Sequence, residues 1–159
     1  MNTTVLYIFL AVTLFFMLVN VWTTGKVLRR GPTAKWLGLS GVFAVVCVIS
    51  YIVTVLTDSV RVFAWMTSIH LIAVAIGLYC AWKFSYLYVR LENFRILKVI
   101  SRILITLVSV DVIVLLVNPF KSIVLEFALR TPESLYSKVI YAAQHPLYYM
   151  HMAIAYLLI

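Results

Sequence analysis

Four residues able to exchange protons or hydrogen bonds, Tyr51, His70, Asp111 and His151, stand in stretches otherwise built largely of Leu, Ile, Val and other apolar residues. Asp111 is the most informative of them. It lies in "SVDVIVLLVNPF", seven residues before an Asn-Pro pair that reads as a helix stop. A carboxylate in hydrocarbon costs about 2.5–3.5 kcal/mol on insertion scales, so an ionisable residue in such a place is by default a hypothesis about function. Two kinds of chemistry fit: a bond between helices that holds a bundle together, or contact with a ligand or ion in a polar cavity. The sequence leaves both open.

Other chemistries find no support. The five acids, Asp58, Glu92, Asp111, Glu126 and Glu133, are scattered singly. HExxH, GxSxG and glycine-rich phosphate loops are missing, so no catalytic residue and no cofactor is expected. His145 and His151, separated by six positions with Pro146 between them, do not share a helix face, and no metal site is expected there. Cys47 and Cys80 form no CxxC and imply no disulfide framework.

The elements that must position these groups follow from composition. Of 159 residues, 65% are hydrophobic and 11% charged, against about 25% charged in soluble domains. Apolar stretches near the roughly 20 residues needed to cross a bilayer occur at about residues 4–22, 36–56, 62–82 and 100–117, and a fifth begins at 146. The expected fold is all-α, a polytopic transmembrane helix bundle forming a single domain over 1–159, with four full spans and an incomplete fifth. The fifth, 146–159, would reach only about 21 Å, which reads as an interrupted span and therefore a fragment. Residues 1–22 lack the charged start and cleavage site of a signal peptide, so the first span is expected to be retained.

Charge gives the orientation. The first loop carries Lys26, Arg29, Arg30 and Lys35 without an acid, the second only Asp58 and Arg61, and the third Lys83, Arg90, Arg95, Lys98 and Arg102 against Glu92. By the positive-inside rule the N-terminus is outside and loops one and three are cytoplasmic. The net charge of +8 is thus a topology signal, with some attraction to anionic lipid at the third loop, and nucleic acid is not an expected partner. Segment 118–145 becomes an extracytoplasmic loop carrying Lys121, Arg130 and Lys138 with Glu126 and Glu133; its "SIVLEFAL" fits a strand or a surface helix. Trp22, Trp36 and Trp82 fall near the inner interface and Trp65 near the outer. Gly31-Pro32 starts the second helix, "LLVNP" ends the fourth at Asn118, and "QHP" precedes the fifth.

Counting inward at about 1.5 Å per residue puts Asp111 and Tyr51 about 10 Å deep, His70 about 13 Å and His151 about 7 Å. All four would share the outer third of the membrane. Convergence would pair Asp111 with His70 or His151 and line a small polar cavity open to the outside. The plainer alternatives are a structural His70 and a packing or interfacial Tyr51.

Three stretches, "ISYIVTVLTDSVRVFAWMTSIHLIAVAIGLYCAWKFSYLYV", "SVDVIVLLVNPF" and "HPLYYMHMAIAYLLI", together resemble the N-terminal seven-helix membrane region of some bacterial histidine kinases and diguanylate cyclases. That pattern has a Tyr near the outer end of helix two, an Asp followed by Asn-Pro-Phe ending helix four, and a Pro-aromatic-His start to helix five followed by a Tyr. The matching residues are Tyr51; Asp111 with Asn118, Pro119 and Phe120; and Pro146, Tyr148, Tyr149, His151 and Tyr156. The resemblance spans nearly the whole chain. It implies a multi-pass sensor region of the bacterial plasma membrane, acting as a homodimer and coupling an undefined small ligand or physical stimulus to a cytoplasmic output domain.

Helices six and seven and any GGDEF or kinase domain are not among these residues, so kinase or cyclase activity would belong elsewhere. The family's ligands are undefined, so the resemblance supplies a role without a substrate. His70 and His151 make pH a conceivable stimulus. The alternatives are a small transporter or channel subunit with Asp111 on a polar path, or a structural membrane protein with Asp111 as interhelix glue. Prolines confined to loops and helix starts, and the lack of an internal repeat, count against a transporter.

Overall fold

The computed structural model describes residues 3–91, 94–129 and 139–159, with backbone alone at 3–7, 9–10, 129 and 139–142. Glu92, Arg130, Glu133 and Lys138, used above in the charge count, lie outside the described residues or side chains. The chain folds into α1 (Thr3–Val27), α2 (Pro32–Leu56), α3 (Val60–Tyr88), α4 (Arg95–Lys121), β1 (Leu125–Leu129), β2 (Val139–Gln144) and α5 (Pro146–Leu157). Three of these, α2, α3 and α4, are long and apolar enough to cross a membrane, at 25, 29 and 27 residues. At 1.5 Å per residue they reach about 38–44 Å, beyond the roughly 30 Å hydrocarbon core.

Breaks between helices have local causes. Gly31 holds φ 130°, a conformation closed to residues with a Cβ, and Pro32 then begins α2 with φ already set. The Ser59 side chain accepts a long, 3.5 Å bond from the Val62 N–H at the start of α3.

The fold is mainly α-helical, and in the segment that the sequence leaves open between strand and surface helix, β1 and β2 pair antiparallel from Leu125↔Gln144 to Leu129↔Val139, with a register irregularity between Glu126 and Phe127. The "LEFAL" part of "SIVLEFAL" is therefore the first strand of a hairpin. Its Phe127 suits a half-buried pleated surface and packs edge-on against Phe63 of α3 with ring centroids 5.5 Å apart. One expectation needs correction: helix α4 does not stop at Asn118. It runs through Pro119 to Lys121 and ends at Ser122 in the left-handed region, φ 48°. Proline removes one N–H from the helical ladder and the residue before it only prefers extended backbone; here Asn118 is held helical by the bonds its side chain makes beyond the helix end.

Helices α1 to α4 pack each on the next, while α5 returns onto α3 and α4 and β1 rests on α3. Trp65 and Phe120, 5.1 Å apart, set the start of α3 beside the end of α4. The buried residues of α4 are Ser101, Leu104, Val108, Asp111, Leu115 and Asn118. Their spacing alternates three and four, a heptad seam, and Asp111 and Asn118 stand one heptad apart on it. Aliphatic members of the seam feed two clusters. One joins Leu104 and Val108 to Ala75, Tyr79, Ile154 and Leu158; the other joins Leu115 to Val124 and Leu125, with Leu71, Ile72, Leu147 and Tyr148 against them. Outward faces carry Phe15, Phe16, Leu18, Ile96 and Ile113, all exposed, the surface a helix presents to lipid rather than to water.

Candidate functional site

Between the two apolar clusters lies a polar layer. His151 Nδ1 and Asp111 Oδ2 are 2.7 Å apart, and the two residues are 1% and 0% exposed. Helices α4 and α5 run in opposite directions, so Val108 meets Ile154 on one side of the pair, while Leu115 and Leu147 belong to the cluster on the other. Hydrocarbon therefore closes the layer along both helices, and the low local dielectric strengthens what lies inside. Two protonation arrangements satisfy the contact: the Nδ1–H donates to an ionised Asp111, or a protonated Asp111 donates to Nδ1. One proton bridges the pair in either case.

Four polar atoms near the seam, Asp111 Oδ1, Asn118 Nδ2, Thr67 Oγ1 and Ser68 Oγ, are buried without a hydrogen-bond partner among the described residues. Because Trp65 lies beside Phe120 and Ala75 shares a cluster with Val108, antiparallel counting brings Thr67 and Ser68 to the depth of Asn118. Each such atom costs about 1–3 kcal/mol. A native interior keeps few of them without a reason.

Asn118 links this layer to the hairpin. Its Oδ1 accepts from the N–H groups of Val124, at 2.8 Å, and Leu125, at 3.0 Å. The Val124 carbonyl in turn accepts from the His145 N–H at 3.0 Å, one residue before α5 begins. A continuous path thus leads from α4 through Asn118, Val124 and His145 into α5 and back through His151 to Asp111. The hairpin base and the buried pair position one another.

His70 and Tyr51 occupy a different seam. His70 Nδ1 is 3.1 Å from the Cys47 carbonyl, while the Cys47 thiol approaches the His70 carbonyl at 3.8 Å, a reciprocal clasp between α2 and α3. The Tyr51 ring lies 6.4 Å from the His70 ring and is 46% exposed. Among the described residues no hydrogen bond or ring contact joins this pair to Asp111 and His151. The four candidates form two pairs on two helix seams.

The remaining motif residues serve α4 and α5. Pro119 lies inside α4, Phe120 packs on Trp65, and Pro146 starts α5. Tyr148 packs against the Leu115 cluster, the Tyr149 hydroxyl reaches Gln144 Oε1 at 3.5 Å, and Tyr156 is exposed. Sequence reasoning missed Thr67, Ser68, Cys47 and Ser50, and read Asn118 as a stop rather than an acceptor. Its position one heptad after Asp111 is the signal that could have revealed it. Among the described residues no group of three or more His, Cys, Asp or Glu is placed to hold a metal ion, and Cys47 and Cys80 are free thiols.

No known protein family, curated protein or solved structure matches the chain.

Proposed function

We propose that this chain is the signal-input region of a bacterial membrane sensor, with its N-terminus and hairpin outside, and that it has no catalytic activity of its own. The observation that carries this reading is the Asp111–His151 contact. It is a proton-bearing bond sealed inside an apolar bundle, joining two helices whose outer ends are tied to the hairpin through Asn118 and Val124. A stimulus reaching the hairpin changes the packing of α5 on α4 to the extent that it binds one arrangement better than another. The orphaned polar atoms fit this use, since strained polar satisfaction keeps two packings close in energy.

The experiment is a fusion of the chain to a kinase reporter, comparing wild type with Asp111→Asn, with folding followed separately by thermal unfolding. Sensor function is supported by altered basal or stimulated output at a stability close to wild type. The burial of both groups also favours a second reading, interhelix glue. Glue alone gives lower stability with unchanged output.

A further inference from the structure

Along α1 and α2 runs a lateral groove that the buried pair does not explain. Its part nearest the first loop, about 710 Å³, is lined by Asn20, Thr23, Thr24, Gly38 and Gly41. Next to it, sharing Asn20 and Ala44, a stretch of about 530 Å³ is lined by Phe16, Met17, Val45 and Val48. One end is rich in hydrogen-bonding groups and the other is mostly hydrocarbon, with Thr13 among its lining. The helices come this close because two glycines permit it: a Cβ on Gly41 would collide with the Thr24 hydroxyl, and one on Gly38 would come within 2.5 Å of Leu28 Cδ2.

Among the described residues the polar end has a spare amide donor and positive charge with no carboxylate beside it in sequence. Thr24 donates to Asn20 Oδ1 at 3.1 Å, which leaves the Asn20 amide nitrogen without a partner among the described residues. Just beyond, Lys26 lies 3.5 Å over the Trp22 ring, and Lys26, Arg29, Arg30 and Lys35 are all exposed. The first acidic residue in the chain is Asp58, so these four cations have no carboxylate on α1, α2 or the loop between them. From Lys26 to Asn20 is about 9 Å along the helix, close to the roughly 5–8 Å headgroup zone of one leaflet.

We infer that the α1–α2 groove holds an anionic glycerophospholipid from the leaflet facing the first loop. The phosphate is matched by the Lys26, Arg29, Arg30 and Lys35 cluster, the glycerol ester region by the Asn20 amide, since the Thr23 hydroxyl already donates to the Val19 and Asn20 carbonyls, and an acyl chain by the Phe16, Met17, Val45 and Val48 stretch. A zwitterionic lipid would fill the same hydrocarbon groove and leave the positive cluster uncompensated. This assignment stands apart from the sensor reading.

The test is native mass spectrometry of the full chain in micelles doped with equal amounts of phosphatidylglycerol and phosphatidylcholine of identical acyl composition. Two variants are compared, Arg29→Gln/Arg30→Gln and the control Arg95→Gln/Lys98→Gln, which removes the same charge from the first turn of α4. Both alter surface side chains, and size-exclusion chromatography checks that both fold. The inference requires preferential retention of phosphatidylglycerol, a loss of roughly thirty-fold on removing two cations from the first loop, and a much smaller loss in the control. Phosphatidylglycerol carrying a photoreactive acyl chain must also label residues lining the groove. Equal retention of the two lipids, equal losses in the two variants, or labelling elsewhere overturns it.

Discussion

Replacing His151 by Leu should damage the fold more than replacing Asp111 by Leu, and replacing both should cost far less than the two separately. The asymmetry comes from the orphaned oxygen. Among the described residues Asp111 Oδ1 lacks a partner and Oδ2 has only His151, so His151→Leu strands a whole carboxyl group. Asp111→Leu strands a single ring nitrogen. Breaking a buried pair from one side costs about 3–5 kcal/mol in soluble proteins, whereas interhelix bonds in membranes average about 0.6 and reach about 1.7 kcal/mol because the unfolded chain finds other partners.

With exposure of 0% and 1% and aliphatic clusters on both sides, alternative partners are few, which lifts the cost above the membrane values toward the lower end of the soluble ones. Losses of about 3 kcal/mol for His151→Leu and about 2 for Asp111→Leu are expected. The double variant should lose about 2, a coupling of about 3 kcal/mol at the top of the range for residues in contact. Reversible unfolding in bicelles, followed by the fluorescence of the four tryptophans, measures all three. A coupling below about 0.5 kcal/mol, or the opposite ranking of the single variants, would refute the sealed-pair argument.

Asn118→Ala should free the Val124 and Leu125 amides to exchange with solvent hydrogen and cost about 2–4 kcal/mol, from two stranded backbone donors; hydrogen exchange resolved to these residues decides it. Gly41→Val should push α1 from α2 at a cost of about 1–3 kcal/mol for overpacking against Thr24, seen as loss of a Thr24-to-Ala44 cysteine crosslink. His70→Leu should cost only about 1 kcal/mol, since the Cys47 carbonyl keeps its 3.0 Å bond from the Ser50 hydroxyl; a loss as large as that of His151→Leu would contradict the separation of the two seams.

The helices were legible because apolar runs of sufficient length leave few alternatives, and because Gly31-Pro32 and "QHP" fix backbone angles locally. The end of α4 was not, since Pro119 reads as a stop while the bonds that hold Asn118 helical come from Val124 and Leu125, six and seven residues on. "SIVLEFAL" is too short for periodicity to separate strand from helix; its partner strand Val139–Gln144 decided the matter. Depth counting placed His70 and His151 equally well beside Asp111. Only rotation about the helix axes, which residue counts do not supply, assigns His70 to the α2–α3 seam and His151 to α4.

The heptad seam restricts how this bundle can move. If α5 slid one turn along α4, about 5.4 Å, His151 would move from Asp111 to the level of Val108 or Leu115, and Asp111 would be left among aliphatic neighbours. The pair therefore acts as a detent: piston strokes of α5 are resisted at every position but one. Tilting about the Asp111–His151 contact keeps the bond while swinging the ends of α5 in opposite directions. Motion imposed at the hairpin should then emerge at the far end of the helix as a reversed lateral displacement, like the two arms of a lever about its fulcrum.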